Sequence, residues 1–158
     1  MNRFRLFLLG MIPVVALLCT APASAQDSPD GQFGIQAGTQ GLGLQYAISP
    51  SIHLGLLVGL AQGDVTLKEI AITPYAKFLL EGDVNPYILA GATILSQDAG
   101  TTSSTRTALY AAFGLEYFIN ENVGAFGQAT LLTIGLDPSA TAFGISNGHV
   151  GVEWFFDR

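Results

Sequence analysis

Apolar and polar positions alternate with a period of two along most of the chain. In Ile52-His53-Leu54-Gly55-Leu56-Leu57-Val58-Gly59-Leu60, residues Ile52, Leu54, Leu56, Val58 and Leu60 share one face and His53, Gly55 and Gly59 the other. That is the pattern of an extended strand and not of a helix. The same phase sets Leu42, Leu44, Tyr46 and Ile48 against Gly43, Gln45 and Ala47, and Leu109, Ala111, Phe113, Leu115 and Tyr117 against Ala112, Gly114 and Glu116. Turn-forming stretches divide the strands. Ser49-Pro50-Ser51, Glu81-Gly82-Asp83-Val84-Asn85-Pro86 and Asn120-Glu121-Asn122 are short, as hairpin turns should be. Longer polar connections at 62–69, 96–106 and 137–148 are rich in Gly, Ser, Thr and Asp. The pattern predicts eight strands, near 33–39, 42–48, 52–62, 70–80, 86–96, 107–119, 123–135 and 148–156, as four hairpins with short and long connections alternating. The weakest is the fourth: Pro74 cannot donate to a ladder, so a bulge or a late strand start is expected there.

The class depends on which face is wet. The candidate inward face is small or polar (Gln36, Gly38, Gly43, Gln45, Gly55, Gly59, Lys77, Gly114, Glu116, Gly151, Glu153), and the other carries Leu, Ile, Val and aromatics. In strands five and seven, Gly and Ala occupy both faces and parity stays open. A soluble sandwich or lipocalin buries its apolar face, whereas a transmembrane barrel turns it outward. Three further features favour lipid. Only 11% of residues are charged, against an ordinary ~25%. Lys and Arg are scarce on every strand face, and Tyr46, Phe78, Tyr117, Trp154 and Phe156 group at strand ends beside the short turns, as an interfacial girdle would. Those turns would be periplasmic. The expected fold is all-β, an eight-stranded antiparallel up-and-down transmembrane barrel.

The first 25 residues belong to export. Arg3 and Arg5 precede an apolar stretch from Leu6 to Leu18, and Ala23-Ser24-Ala25 fits a signal-peptidase site, so residues 1–25 read as a cleaved signal peptide and 26–158 as one barrel domain. Cys19, the one cysteine, leaves with the signal. Losing Arg3 and Arg5 leaves four basic residues against twelve acidic ones, a net charge of 4 − 12 = −8 that repels nucleic acid.

With those strands in place, the chain resembles the small eight-stranded outer-membrane barrels of the OmpX/OmpA type, across 26–158. The resemblance rests on Gly-Leu-Gly-Leu-Gln-Tyr (41–46), Asn-Pro-Tyr-Ile-Leu-Ala-Gly-Ala (85–92), Gly-Leu-Glu-Tyr-Phe-Ile-Asn-Glu-Asn (114–122) and the C-terminal strand. In the last, His149, Gly151, Trp154 and Phe156 fit that family's assembly signal: polar, any, Gly, any, any, aromatic, any, aromatic. The resemblance implies insertion by the outer-membrane barrel assembly machinery, outer-membrane lipids as surroundings, and periplasmic ends. Two departures stand out: Asp157 and Arg158 follow the final aromatic, and the first outer connection, near Thr39-Gln40-Gly41, is short.

Candidate chemistry is sparse. An eight-stranded barrel is just wide enough for its own side chains to fill, so no pore is expected. Lys77, Glu116 and Glu153 on the inward face predict a structural Lys77–carboxylate contact, because an unpaired charge there costs several kcal/mol. His53 reads as an interior filler. Ser146, His149 and Glu153 invite comparison with the lipid A deacylases of similar fold, yet Ser146-Asn147 precedes His149 here, and residues four apart on a strand lie roughly 13 Å apart. No nucleophile elbow, phosphate loop or zinc-protease helix occurs, and no cofactor or metal is expected. The leading expectation is a non-enzymatic integral outer-membrane protein with an envelope-structural or surface-interaction role, its partner engaged through 62–69, 96–106 and 137–148. The rivals are a lipid-modifying hydrolase on the same barrel and a soluble periplasmic lipocalin-like carrier.

Overall fold

The computed structural model describes residues 29–62, 68–80, 82, 84–98, 100, 102–137 and 139–156. Eight strands follow in chain order: β1 (Gln32–Gly38), β2 (Gly41–Ser49), β3 (Ile52–Gln62), β4 (Lys68–Leu79), β5 (Asn85–Asp98), β6 (Ser103–Asn120), β7 (Val123–Asp137) and β8 (Ser139–Phe155). Each pairs antiparallel with the next, and β1 pairs with β8 to close a barrel. The eight-stranded up-and-down arrangement expected from the alternation is therefore the fold observed.

The short turns hold by local bonding. Asn120 accepts from the amides of Asn122 and Val123 through its side-chain Oδ1, both at 2.9 Å, which fixes the β6–β7 turn without a long loop. The alternation sorts the faces as the sequence implies: Leu42, Leu44, Leu54, Leu56, Val58, Ile72, Phe113, Leu115 and Val152 are exposed on the outside, while Gln36, Gln45, His53, Lys77, Glu116 and Glu153 are buried inside. A sheet closed on itself has two faces and one small interior.

Three details depart from the sequence expectation, and one that it left open is decided. The long connections at 96–106 and 137–148 are largely strand. β5 continues to Asp98 and β6 starts at Ser103, while β8 starts at Ser139, with Ser139 pairing Leu136. Ladder partners on the neighbouring strand satisfy the backbone of these Ser-, Thr- and Gly-rich stretches whatever their side chains. Of the 62–69 connection, Lys68 and Glu69 are already in β4, and 63–67 lie outside the described residues.

Pro74 needs neither a bulge nor a late start. β4 runs through it in constant register with β5, from Ile72↔Ile94 to Tyr75↔Gly91, and pairing lapses only at 73 and 74. A hydroxyl–hydroxyl hydrogen bond of 3.1 Å between Thr73 and Thr93 spans the lapse, and Pro74 stays paired with Leu56 of β3. The missing donor falls on one side of the strand alone.

The parities left open also resolve. In β5, Tyr87 and Leu89 face inward and Ile88 and Ile94 outward. In β7 a register shift at Leu131 reverses the phase: Gln128 and Thr130 are buried below it, and Ile134 pairs with the outward Leu109 above it. A second bulge faces it on β8, where Gly148 pairs with Ala129 but Ser146 with Thr130, and Asn147 takes a left-handed φ of 36°. Tyr117, the third departure, shares the outward phase of Leu115 but is buried at 9% exposure, so its ring is not displayed as a girdle member would be.

The wall is uneven in height. β1 ends at Gly38 and β2 begins at Gly41, whereas β8 starts at Ser139, twelve positions before Gly151, the partner of Gly38. One further bond, from the Thr39 amide to the Val150 carbonyl at 3.0 Å, ends the seam. β4 to β8 thus stand well above the β1–β2 hairpin.

Candidate functional site: the charged barrel interior

Alternation brings charges from three strands to one point. Lys77 of β4 reaches across the barrel to Glu116 of β6, with Nζ 2.5 Å from Oε2, and to Glu153 of β8 at 3.0 Å. All three are buried. Glu153 also accepts from Gln45 Nε2 of β2 at 2.9 Å. The Tyr75 hydroxyl donates to Gln45 Oε1 at 3.2 Å and accepts from Gln36 Nε2 at 2.8 Å. On the other side of Lys77, the Tyr87 hydroxyl donates to Gln128 Oε1 at 2.8 Å, and Gln128 reaches Gln40 of the first turn at 3.3 Å. The ammonium also lies 5.2 Å from the Tyr87 ring centroid and 5.9 Å from that of Phe126, within reach of their π faces. A single cation thus holds two carboxylates, and neutral amides and phenols from β1, β2, β4, β5 and β7 surround them. Such a network is stabilising only while complete, because each ion left alone in this setting carries its desolvation cost uncompensated.

Glycines make room for this interior. Gly55 stands across the ladder from Tyr75, Gly114 from Tyr87 and Gly91 from Tyr110. A Cβ at Gly55 or Gly114 would overlap the facing ring. The end where the short turns lie is stoppered by Phe118, Phe155, Leu79 and Ala47, with the His53 ring edge-on to Phe155 at 5.3 Å. Between Gln36, Tyr75, Lys77, Tyr87 and Gln128 the remaining gap is about 10 Å³, at most the room of one water.

The other residues singled out in the sequence lie apart from this cluster. His149 is half-buried at the rim, its Nδ1 3.4 Å from the Thr39 hydroxyl. Gly151 faces Phe126, Trp154 and Phe156 are exposed on the outer wall, and the Phe156 amide donates to the Phe33 carbonyl at 2.8 Å. Tyr46 packs against Phe33 with centroids 4.6 Å apart, and Phe78 is exposed. Ser146 is exposed, and Glu153 is engaged with Lys77 and Gln45, so Ser146, His149 and Glu153 form no hydrogen-bonded series. Among the described residues no group of three or more His, Cys, Asp or Glu is placed to hold a metal ion. Sequence reasoning missed Tyr75, Tyr87 and Gln128. The signal for Tyr75 was present, since it precedes Lys77 by two positions and shares its face.

No protein-family model and no curated protein matches the sequence. Among solved structures, the chain is similar to the N-terminal β-barrel domain of Pseudomonas aeruginosa OprF, with a TM-score of 0.63 and 18% identity over 80% of this chain and 98% of that one. What the two share at that identity is the fold, an eight-stranded antiparallel β-barrel.

Proposed function

We infer that this chain is an integral outer-membrane barrel whose role is structural, an envelope protein that neither conducts nor catalyses. The observation carrying this reading is the inversion of polarity: Lys77, Glu116 and Glu153 are inside, joined to one another, and most Leu, Ile and Val side chains of the strands are outside. Leu44, for example, is 65% exposed in the middle of β2. Water gives no reason for that distribution, and lipid does. The same observation disfavours the lipocalin-like carrier, which needs an apolar interior. The hydrolase reading is disfavoured because Glu153 is tied to Lys77 and its strand neighbour His149 to Thr39. Export by residues 1–25, recognition of the last strand through His149, Gly151, Trp154 and Phe156, and an interfacial ring that includes Tyr46 and Phe78 complete the proposal. Outer-membrane lipids and the barrel assembly machinery are its partners.

The test is fractionation of expressing cells followed by electrophoresis of the membrane fraction with and without boiling in detergent. The expected outcome is outer-membrane recovery and a mobility that changes on boiling, as a closed barrel unfolds. A soluble product whose mobility ignores heat overturns the reading.

A further inference from the structure

The charges of the barrel interior do not balance. Lys77 brings one positive charge and Glu116 and Glu153 bring two negative ones, and all three side chains are almost wholly buried. Among the described residues no second cation contacts either glutamate. A surplus charge is costly in such a place, because no solvent screens it. The free oxygens show where it would fall: Oε1 of Glu116 and Oε1 of Glu153 are buried without a hydrogen-bond partner. The two Oε2 atoms share one ammonium, which holds the carboxyl groups together, and the two groups lie in hydrogen-bond contact with each other. Two ionised carboxylates are acceptors only and cannot make that bond, whereas a carboxylic acid and a carboxylate can.

We propose that Glu116 and Glu153 hold one proton between them, carried by Glu116, so that ammonium, carboxylate and carboxylic acid together leave the interior neutral. Glu153 is the ionised member because Gln45 and Lys77 both donate to it, whereas Glu116 receives from Lys77 alone. No other titratable group around the pair can take the place of that proton. Tyr75 of β4 and Tyr87 of β5 already donate their hydroxyls to Gln45 and Gln128, and β1, β2 and β7 present neutral Gln36, Gln45 and Gln128. His53 of β3 stands across the ladder from Lys77, but neither ring nitrogen has a partner. An imidazolium there would lack an acceptor and would lie beside an ammonium. Among the described residues no third acid or histidine joins the pair to hold a metal ion. An unfolded chain gives up a glutamate proton near about pH 4.3, so folding at neutral pH takes one proton from solution. The folded barrel then binds one proton more than the unfolded chain. The stability this contributes is complete below that pH and declines as the pH rises, until the proton leaves the folded barrel. The site is internal, so the inference holds whichever medium surrounds the barrel.

The experiment uses the protein as recovered folded from expressing cells and reads the pair in two ways. Urea unfolding of the parent, Glu116→Gln and Glu153→Gln is followed from about pH 7.5 to 9, where the histidines, tyrosines and lysines of an unfolded chain contribute least. The unfolding constant of the parent should rise about tenfold per pH unit, and that of either glutamine variant, which needs no shared proton, should stay level. Infrared spectra of the folded parent at neutral pH should show the C=O stretch of a neutral carboxyl, and both variants should lack it. Unboiled mobility equal to that of the parent shows that a variant has folded, and the two parent measurements stand even if neither does. Absence of either signature from the parent overturns the shared proton. So does a parent stability that follows sodium when sodium chloride replaces choline chloride, since a metal ion would then be cancelling the surplus charge.

Discussion

Lys77 is the residue on which the interior turns. Glu116 and Glu153 approach from β6 and β8, two strands apart in the barrel, and the ammonium that reaches them from β4 is what permits both to be buried in one small space. Replacing Lys77 by Met keeps most of the volume and strands two carboxylates, so stability in detergent or vesicles should fall by about 3–5 kcal/mol, read as a lower urea midpoint. Adding Glu116→Gln and Glu153→Gln to Lys77→Met should recover much of that loss, because no buried ion then remains. A Lys77→Met variant as stable as the parent would show that water reaches the cluster. Alternation made these three residues legible in the sequence, since each falls on the face shared with Gly and Gln. That Lys77 serves both carboxylates was not legible, because it depends on the diameter and stagger of the closed barrel, which no single strand encodes.

The strands illustrate a second limit. β2 and β3 were readable from phase alone, with large apolar residues on one side and Gly, Gln or His on the other. β7 was not, because the shift at Leu131 puts two successive leucines near the outer face and reverses everything after them. The upper ends of β5, β6 and β8 were hidden by composition: Ser, Thr, Gly and Asn signal loops when local preference is the only guide, but in a hairpin the neighbouring strand overrides it. The outward phase of β3 can be tested directly. Leu56 lies mid-strand on the outer face, and Leu56→Arg should cost roughly 2–4 kcal/mol of folding into bilayers if it sits near the midplane. Unchanged folding into vesicles would place that face in water.

At the scale of the molecule, the last strand has two separable duties. Phe155 points inward and packs with Phe118 and His53, whereas Phe156 is exposed outside, held by one backbone bond to Phe33. Phe156→Ala should therefore reduce assembly in cells severalfold while leaving refolding into detergent nearly unchanged. Equal losses in both settings would assign Phe156 to packing instead of recognition. This division follows from parity alone, yet the sequence could not say how little β1 contributes to the wall, because the height of a strand is fixed by the register of its neighbours.

The seam between β1 and β8, which runs only from Gly34 to Gly38, also sets a timetable. Its partners stand at opposite ends of the domain, so closing it requires ordering nearly the whole chain first, and the entropy of that loop is met by the shortest ladder in the barrel. The seam is accordingly the last ladder to form and the first to part. Closure can follow only after the final strand has been synthesised and delivered, which makes an open, seven-eighths-built sheet an obligatory species that needs protection until then. In native-state hydrogen exchange, the amides of β1 that bond to β8 should exchange ahead of those between β6 and β7. Simultaneous exchange of both sets would mean that the barrel opens only as a unit.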